Sequence, residues 1–261
     1  MKQRRSETAS GERPEAASGN ARVPEEMRLN RYLSAAGVCS RREADRIIGE
    51  GRVRVNGIPA SLGMVIREED RVFVDGKPVQ PTKREIFLAV NKPAGVVVTT
   101  DQSRGDQTLE ELVHYPERVF AVGRLDKESE GLILMTNNGE ASNRIQKARG
   151  RHEKEYVVTV DRPFDREFLR KMSAGVYLEE LDRTTQPCKI RRLDQNRFDI
   201  ILTEGLNRQI RRMCLALGYR VQKLKRIRVM NIVLGSLKEG SYRELTPEEL
   251  QTLKKELGML P

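Results

Sequence analysis

Apolar and polar positions follow two different periods along the chain. The first helical pattern ends at Gly37, and Ser40 can cap a second helix that follows it. Residues 52–57 and 71–76 alternate like strands and end in Asn-Gly and Asp-Gly turns. Two helices and a small β unit are therefore predicted to form a compact module over residues 27–78.

A longer series of patterns runs from residue 86 onward. Strands are predicted at 86–90, 96–100, 119–122, 132–135, 156–160, 198–202 and 221–224, with a turn at 91–95 and helices at 109–113, 140–148, 164–172 and from Thr246. Because helices and strands alternate irregularly, the pattern indicates an α+β domain over 86–261, with a mixed, mostly antiparallel sheet flanked by helices. Residues 79–85 are predicted to be a polar linker, and residues 1–26 a disordered tail, since almost nothing there is apolar.

Charge narrows the choice of partner. The 261 residues carry a formal net charge of +10, which favours a polyanion such as structured RNA, although an anionic membrane surface could also use it. No apolar run reaches the length of a membrane span, and the N-terminus lacks a signal-peptide core. We therefore expect a soluble, cytoplasmic monomer that binds RNA and no membrane.

Cysteine and histidine usage argues against metal and disulfide chemistry. The three cysteines, Cys39, Cys188 and Cys214, are widely spaced, and His114 and His152 are the two histidines. They form no zinc motif or disulfide framework. The chain also lacks tryptophan and a glycine-rich phosphate loop, which excludes most nucleotide cofactors.

The charged loop between the predicted strands at 119–122 and 132–135 contains Asp126. Arg124 and Lys127 flank this carboxylate and favour its ionised form. A rigid loop on a sheet is a common place for a catalytic group. Local sequence alone favours a turn aspartate in an exposed salt bridge over a catalytic group.

Three further features bear on this loop. Residues 205–218 form a helical pattern with Arg208, Arg211 and Arg212 opposite its apolar face, and arginines near a helix start do not suit the helix dipole. They are either a solvated basic face or partners for a carboxylate or phosphate. Tyr156 opens a strand and is either a core aromatic or a platform for a base. The basic run 220–228 fits contact with backbone phosphates better than a membrane surface.

Residues 27–78 resemble the S4 RNA-binding module. The resemblance rests on Arg28-Leu-Asn-Arg-Tyr-Leu33, Gly37-Val-Cys-Ser-Arg-Arg-Glu-Ala-Asp45 and Gly51-Arg-Val-Arg-Val-Asn-Gly57. It implies that the helical pair docks on structured RNA, largely by shape. The RNA-binding candidates are Arg28, Arg31, Arg41, Arg42 and Arg46. A solvated face balanced by acidic neighbours is the alternative.

The chain from residue 28 to 245 resembles the pseudouridine synthases of the RsuA/RluB/RluE/RluF family. Four motifs carry this resemblance in order: Asn91-Lys-Pro-Ala-Gly95, Gly123-Arg-Leu-Asp126, Lys154-Glu-Tyr156 and Gln209-Ile-Arg-Arg-Met213. The segments 204–214 and 228–231 look most like the RluF branch, which acts on large-subunit ribosomal RNA.

The resemblance implies an isomerisation that needs no cofactor. Asp126 would be the nucleophile, Arg211 would pair with it, and Tyr156 would stack on the base. Arg124 would fill the space left by the flipped base, and Leu224 would pack on the base's other side. Further substrate-binding candidates are Arg208, Arg212 and Lys154.

The same chemistry on 16S ribosomal RNA or on transfer RNA is one alternative. A protein of another class is the second: a non-catalytic S4-type RNA-binding or ribosome-assembly factor. Net charge and the N-terminal module suit both classes equally. Asp126 favours the enzyme, because a carboxylate among phosphate-seeking cations would weaken the RNA affinity of a pure binder.

Overall fold

The computed structural model of the chain describes residues 26–81, 84–99, 105–147 and 150–260. The predicted tail at 1–26 lies outside the described residues except for Glu26.

The N-terminal module has the predicted two helices and small β unit. Its elements are β1 (Met27–Arg28), α1 (Leu29–Ala35), α2 (Arg41–Gly49), β2 (Val53–Val55), β3 (Ile58–Pro59), β4 (Val65–Ile66), β5 (Val72–Val74) and β6 (Lys77–Val79). Ser40 caps α2 by accepting a hydrogen bond from the backbone of Glu43. The apolar faces of both helices pack with Val53 and Val72 in one core.

The second domain contains the remaining elements. They are β7 (Phe87–Lys92), α3 (Leu109–Leu112), β8 (Phe120–Ala121), β9 (Glu130–Thr136), α4 (Gly139–Gln146), β10 (Lys154–Val160), α5 (Arg166–Ala174), β11 (Tyr177–Leu178), a 3-10 helix (Glu179–Leu181), β12 (Arg183–Thr184), β13 (Lys189–Arg192), β14 (Arg197–Leu202), α6 (Gln209–Ala216), β15 (Val221–Val229), β16 (Ile232–Val233), β17 (Tyr242–Glu244) and α7 (Pro247–Glu256).

Among the described residues, nine strands form one sheet with the order β13-β14-β10-β15-β9-β7-β17, and β16 and β8 pair with β15 and β9. Neighbouring strands are antiparallel except for β9 and β15, which run parallel. The predicted mixed, mostly antiparallel sheet is confirmed. Buried side chains on both faces of the sheet form the cores that fix its strands in place.

Several predicted boundaries were wrong. The expected strand at 96–100 is reduced, over its described residues, to an isolated bridge at Val97, and the turn predicted at 91–95 begins later because β7 continues through Lys92. The helix predicted from 164 begins at Arg166, because the Asp165 side chain caps it. β15 extends to Val229, well beyond the predicted strand.

The polar segment after β6 is tied to the second domain at its far end. Arg84 forms an ion pair with Glu244 at 2.7 Å, and Glu85 forms one with Lys254 in α7. The strand β6 itself ends at Val79, whose carbonyl accepts a hydrogen bond from the Tyr32 hydroxyl at 3.0 Å. Both ends of the predicted linker are therefore held by side-chain contacts.

Candidate active site

A cavity of about 560 Å³ opens where β9 and β15 meet. Gly131 of β9 has φ +101°, and a Cβ there would lie 2.2 Å from the carbonyl oxygen of Arg226 in β15. Only glycine allows the two backbones to approach this closely. The loop before β9 and the start of α6 form two walls of the cavity.

Asp126 lies in that loop and its side chain, about 30% exposed, lines the cavity. Its carbonyl accepts a hydrogen bond from the Ser129 backbone at 3.0 Å, which closes a tight turn. The next carbonyl, of Lys127, accepts one from the Gly95 backbone at 2.7 Å. The turn that carries Asp126 is therefore fixed to the end of β7.

Lys92 reinforces this attachment from inside the protein. Its side chain is fully buried, and Nζ donates hydrogen bonds to the carbonyls of Pro93 and Val96 at 2.7 Å each, with a longer one to Lys127 at 3.4 Å. Burial lowers the pKa of Lys92 to about 8, against the opposing effect of nearby carboxylates such as Asp126. One buried ammonium thus joins the strand end to the Asp126 loop.

Two of the predicted arginines face Asp126. Nε of Arg211 lies 3.9 Å from Oδ2 of Asp126, and Nη1 of Arg208 lies 4.0 Å from the same oxygen. Arg208 also pairs with Glu128 at 3.1 Å, and Nη2 of Arg211 donates to Oγ of Ser129 at 3.4 Å. Nε of Arg211 is buried and has no hydrogen-bond partner among the described residues. It is therefore available to the Asp126 carboxylate or to a substrate.

The sheet forms the floor of the cavity. Tyr156 of β10 is paired with Arg226 of β15, and Leu224 is paired with the next inward residue of β10, Val158. Tyr156, Leu224, Arg226 and Lys154 all line the cavity. An aromatic ring, an aliphatic side chain and two cations therefore share the face opposite the Asp126 loop.

A buried carboxylate positions the start of α6. Oε1 of Glu204 accepts hydrogen bonds from the Gln186 backbone and from Nε2 of Gln209, each at 2.8 Å, and Oε2 pairs with Arg183 at 3.2 Å. Arg208 lies just before the helix with φ +52°, a left-handed conformation. Glu204 therefore fixes this strained turn through its hydrogen bonds with Gln186 and Gln209.

The remaining substrate-binding candidates occupy different places. Arg124 is exposed on the rim of the cavity. Arg212 does not line the cavity; it contacts Glu180 and the side chain of Asn207. The structure therefore brings together Arg124, Asp126, Lys154, Tyr156, Arg208, Arg211 and Leu224, and leaves Arg212 outside.

The basic run 220–228 is less open to RNA than its sequence indicates. Lys223 and Lys225 lie near the Glu130 carboxylate at 3.2 and 3.9 Å, and Arg228 pairs with glutamates on the other face of the sheet. Arg226 points inward and is buried. Most of the run is therefore neutralised by the protein itself.

In the N-terminal module the five candidate arginines are all exposed. Arg46 is paired with Glu43 and Glu50 within its own helix. Arg28, Arg31, Arg41 and Arg42 form no ion pair within the described part of the chain. These four are unpaired cations on the surface of the module.

Lys92, Glu204 and Arg226 were not singled out from the sequence. A signal existed for Arg226: in a strand, residues two apart share a face, so the buried Leu224 places Arg226 inward. Lys92 followed a buried run but was assigned to a turn, and Glu204 looked like an ordinary residue before a glycine.

Over the described residues, no group of His, Cys, Asp and Glu could hold a metal ion, and no helix is long and apolar enough to cross a membrane. Burial raises the pKa of Cys188 to about 11 and that of Cys214 to about 12, so both thiols are unreactive at neutral pH.

Comparison with known proteins identifies the class. Residues 86–216 match the family described as RNA pseudouridylate synthase, and residues 27–72 match the S4 domain. A solved structure described as a pseudouridylate synthase superposes with a TM-score of 0.65 at 30% identity, covering 87% of this chain and 99% of the other. The chain belongs to the RNA pseudouridine synthase family and carries an N-terminal S4 domain.

Individual relatives are similar over most of their length. The dual-specificity RNA pseudouridine synthase RluF of Escherichia coli K12 is 47% identical over 88% of this chain and 79% of its own. The ribosomal large subunit pseudouridine synthase B of Bacillus subtilis is 35% identical over 87% and 95%. This chain is accordingly an RNA pseudouridine synthase, which decides for the enzyme over the non-catalytic binding factor.

Proposed function

We propose that this enzyme converts a uridine of large-subunit ribosomal RNA to pseudouridine, with Asp126 as the nucleophile. The observation that carries the proposal is the placement of the Asp126 carboxylate in a cavity with Arg211 3.9 Å away and Tyr156 and Leu224 on the opposite wall. A flipped base would lie between the ring of Tyr156 and the loop.

The reaction then runs without a cofactor. An Asp126 oxygen forms a bond to the uridine, at its ribose or its uracil ring, and the bond between ribose and N1 breaks. The uracil rotates and is rejoined to the ribose through C5, which loses its proton as N1 gains one, and the aspartate is released. Arg211 and Arg208 stabilise the carboxylate before attack. Tyr156, which lines the cavity, is proposed to hold the base and to assist removal of the C5 proton.

Ribosomal RNA is proposed from two lines of support. The name of the Bacillus subtilis relative specifies the large ribosomal subunit. The exposed, unpaired arginines Arg28, Arg31, Arg41 and Arg42 suit docking of residues 27–78 on structured RNA. We propose a cytoplasmic enzyme, because ribosomal RNA is its proposed substrate, and we expect it to act as a monomer. The dual specificity in the name of the Escherichia coli relative favours a second candidate substrate, such as transfer RNA.

The test is to map pseudouridines in ribosomal and transfer RNA from a strain lacking this protein, complemented with the wild type, Asp126→Ala or Glu128→Gln. Glu128 is the matched control: it is a carboxylate of the same loop, pairs with Arg208 and does not line the cavity. We expect the wild type and Glu128→Gln to restore the same site in large-subunit RNA, and Asp126→Ala to restore none.

Restoration by Asp126→Ala would refute the nucleophile. A wild type that restores sites only in small-subunit or transfer RNA would refute the substrate, and restoration of no site would refute both.

A further inference from the structure

One end of the cavity holds two cations that have no carboxylate partner. Arg226 is only 5% exposed, and its Nε donates to the Leu132 carbonyl at 2.6 Å. Lys154 donates to the His152 carbonyl at 3.3 Å. Neither side chain forms an ion pair with any residue that the structure describes.

The carboxylates nearby are already engaged. Asp126 faces Arg211 and Arg208, and Glu204 is held by its own hydrogen-bond network. The other cations of β15 are paired: Lys223 and Lys225 lie near Glu130, and Arg228 pairs with Glu153 and Glu155. The protein therefore supplies an anion to the neighbouring cations but not to this pair.

An uncompensated pair of like charges, one buried and one half-buried, is costly. Removing a cation from water costs several kcal/mol unless an anion or good hydrogen bonds replace the solvent. Burial, and next the charge of Arg226, lower the pKa of Lys154, so the two cations act on each other. An anion between them would relieve both effects.

The position of the pair indicates which anion is expected. Tyr156 is directly opposite Arg226 across the strand pair. Lys154 lies two residues before Tyr156 in β10, on the same face of the sheet. A nucleotide stacked on Tyr156 would carry its own sugar-phosphate chain past these cations. A uracil carbonyl could accept a hydrogen bond there but would leave both charges uncompensated, whereas a phosphate supplies the charge.

We infer that Lys154 and Arg226 form a subsite for one backbone phosphate of the RNA, adjoining the nucleotide that occupies the cavity. The inference rests on the proposed function, because it assumes that the cavity receives a nucleotide of an RNA chain. It assigns Arg226 to substrate binding and gives Lys154 a specific ligand.

The test uses the full chain and the pentaribonucleotide AAUAA, in which each phosphate in turn is replaced by a neutral methylphosphonate. Binding is measured by fluorescence anisotropy for the wild type, Lys154→Met, Arg226→Gln and the control Lys189→Met. Lys189 lies on the edge strand β13 and its side chain is 78% exposed. Thermal melting of each variant checks that it is folded.

We expect one linkage beside the uridine to be decisive. Its neutralisation should weaken binding to the wild type and to Lys189→Met about tenfold, in line with a charge-assisted hydrogen bond. The same replacement should weaken binding less in Lys154→Met, in which only Arg226 remains to contact the phosphate. On the unmodified oligonucleotide, Lys154→Met should lower the slope of log affinity against log salt by about 0.7. Arg226→Gln, if folded, should behave like Lys154→Met.

Equal losses for the wild type and Lys154→Met at every linkage, or no binding of the oligonucleotide to the wild type, would overturn the subsite. If pseudouridine formation in cells persists in that case, the subsite alone is wrong. A wild type that forms no pseudouridine refutes the proposed function, whatever the oligonucleotides show.

Discussion

Lys92 fixes the loop that carries Asp126 without contacting Asp126 itself. Its ammonium donates hydrogen bonds to carbonyls that follow β7 and to one carbonyl of the Asp126 loop. It therefore bridges the two segments, as a buried water can do elsewhere. Burial places its pKa at about 8, within the range of ordinary buffers. The protonation of this one side chain is therefore linked to folding.

Between about pH 8 and 10.4 the unfolded chain keeps the Lys92 proton and the folded chain loses it, so the free energy of unfolding should rise with pH. Relative to Lys92→Met, the wild type should gain up to about 3 kcal/mol over this range and nothing below pH 7. Urea unfolding at several pH values measures the difference. The control is Lys127→Met, an exposed lysine of the same loop, which should run parallel to the wild type. If the stability curve of Lys92→Met against pH also ran parallel to that of the wild type, the linkage would be refuted.

At the scale of elements, α6 depends on a carboxylate outside it. Gln209, the first residue of the helix, donates to Glu204 and accepts from the backbone of Leu206 at 3.0 Å, so the turn carrying Arg208 is closed by side chains. This arrangement compensates for the helix start, which has no acidic residue in its first turn and no side-chain cap. The direction in which Arg211 meets Asp126 follows from it.

Glu204→Ala should leave the Gln186 amide and the Gln209 side chain without their acceptor, and lower the free energy of unfolding by about 2 kcal/mol. Because α6 would shift, kcat should fall at least about tenfold, with a smaller effect on KM. Glu204→Gln keeps one acceptor oxygen and should recover most of both losses. Chemical denaturation and single-turnover kinetics measure them.

The matched control is Arg183→Gln, which removes only the half-exposed ion pair and should cost under about 1 kcal/mol. Equal kcat for Glu204→Ala and the wild type would show that the network supports folding but not the site.

Elements with strong local signals were predictable from the sequence. Ser40 and Thr246 cap α2 and α7 as expected, and Thr246 forms a reciprocal capping box with Glu249. Short edge strands such as β13 and β17 were missed, because most of their residues are charged and none is fully buried, so they show no apolar alternation. Val96 and Val97 favoured a strand, but the carbonyl of Val96 instead accepts the Lys92 ammonium.

The site was predictable only in part, for a physical reason. Asp126, Tyr156 and Arg211 stand in motifs, so their types and spacing mark them. Lys92 also stands in a motif, but its contacts and those of Arg226 depend on burial, and burial of a cation depends on which strands become neighbours. The parallel pairing of β9 with β15 has no local signal in the sequence.

At the scale of the whole molecule, the S4 domain presents unpaired arginines on its surface and the second domain contains the cavity. Arg31→Ala with Arg41→Ala and Arg42→Ala should raise KM for ribosomal RNA and lower the salt dependence of binding by about one unit for each phosphate that the variant no longer neutralises. The kcat on a short stem-loop should stay unchanged. Filter binding over a salt series and steady-state kinetics test this.

Arg46→Ala is the control, because its guanidinium is already paired with Glu43 and Glu50 and should contribute little to RNA binding. If Arg46→Ala lowered the affinity for RNA as much as the triple variant does, the position of a positive charge in the module would be unimportant for binding. An equal fall in kcat on the stem-loop would argue against separate docking and catalytic roles.

The close parallel approach of β9 and β15 at Gly131 also affects the order in which parts of the enzyme can fold. Residues 131 and 226 are far apart in the chain, and closing so long a loop is entropically unfavourable until other contacts support it. During synthesis the Asp126 loop emerges long before Leu224 and Arg226 exist to face it. The cavity is therefore among the last parts of the molecule to be completed, and a nascent or truncated chain ending before β15 would fold an S4 domain able to hold RNA before it could modify any.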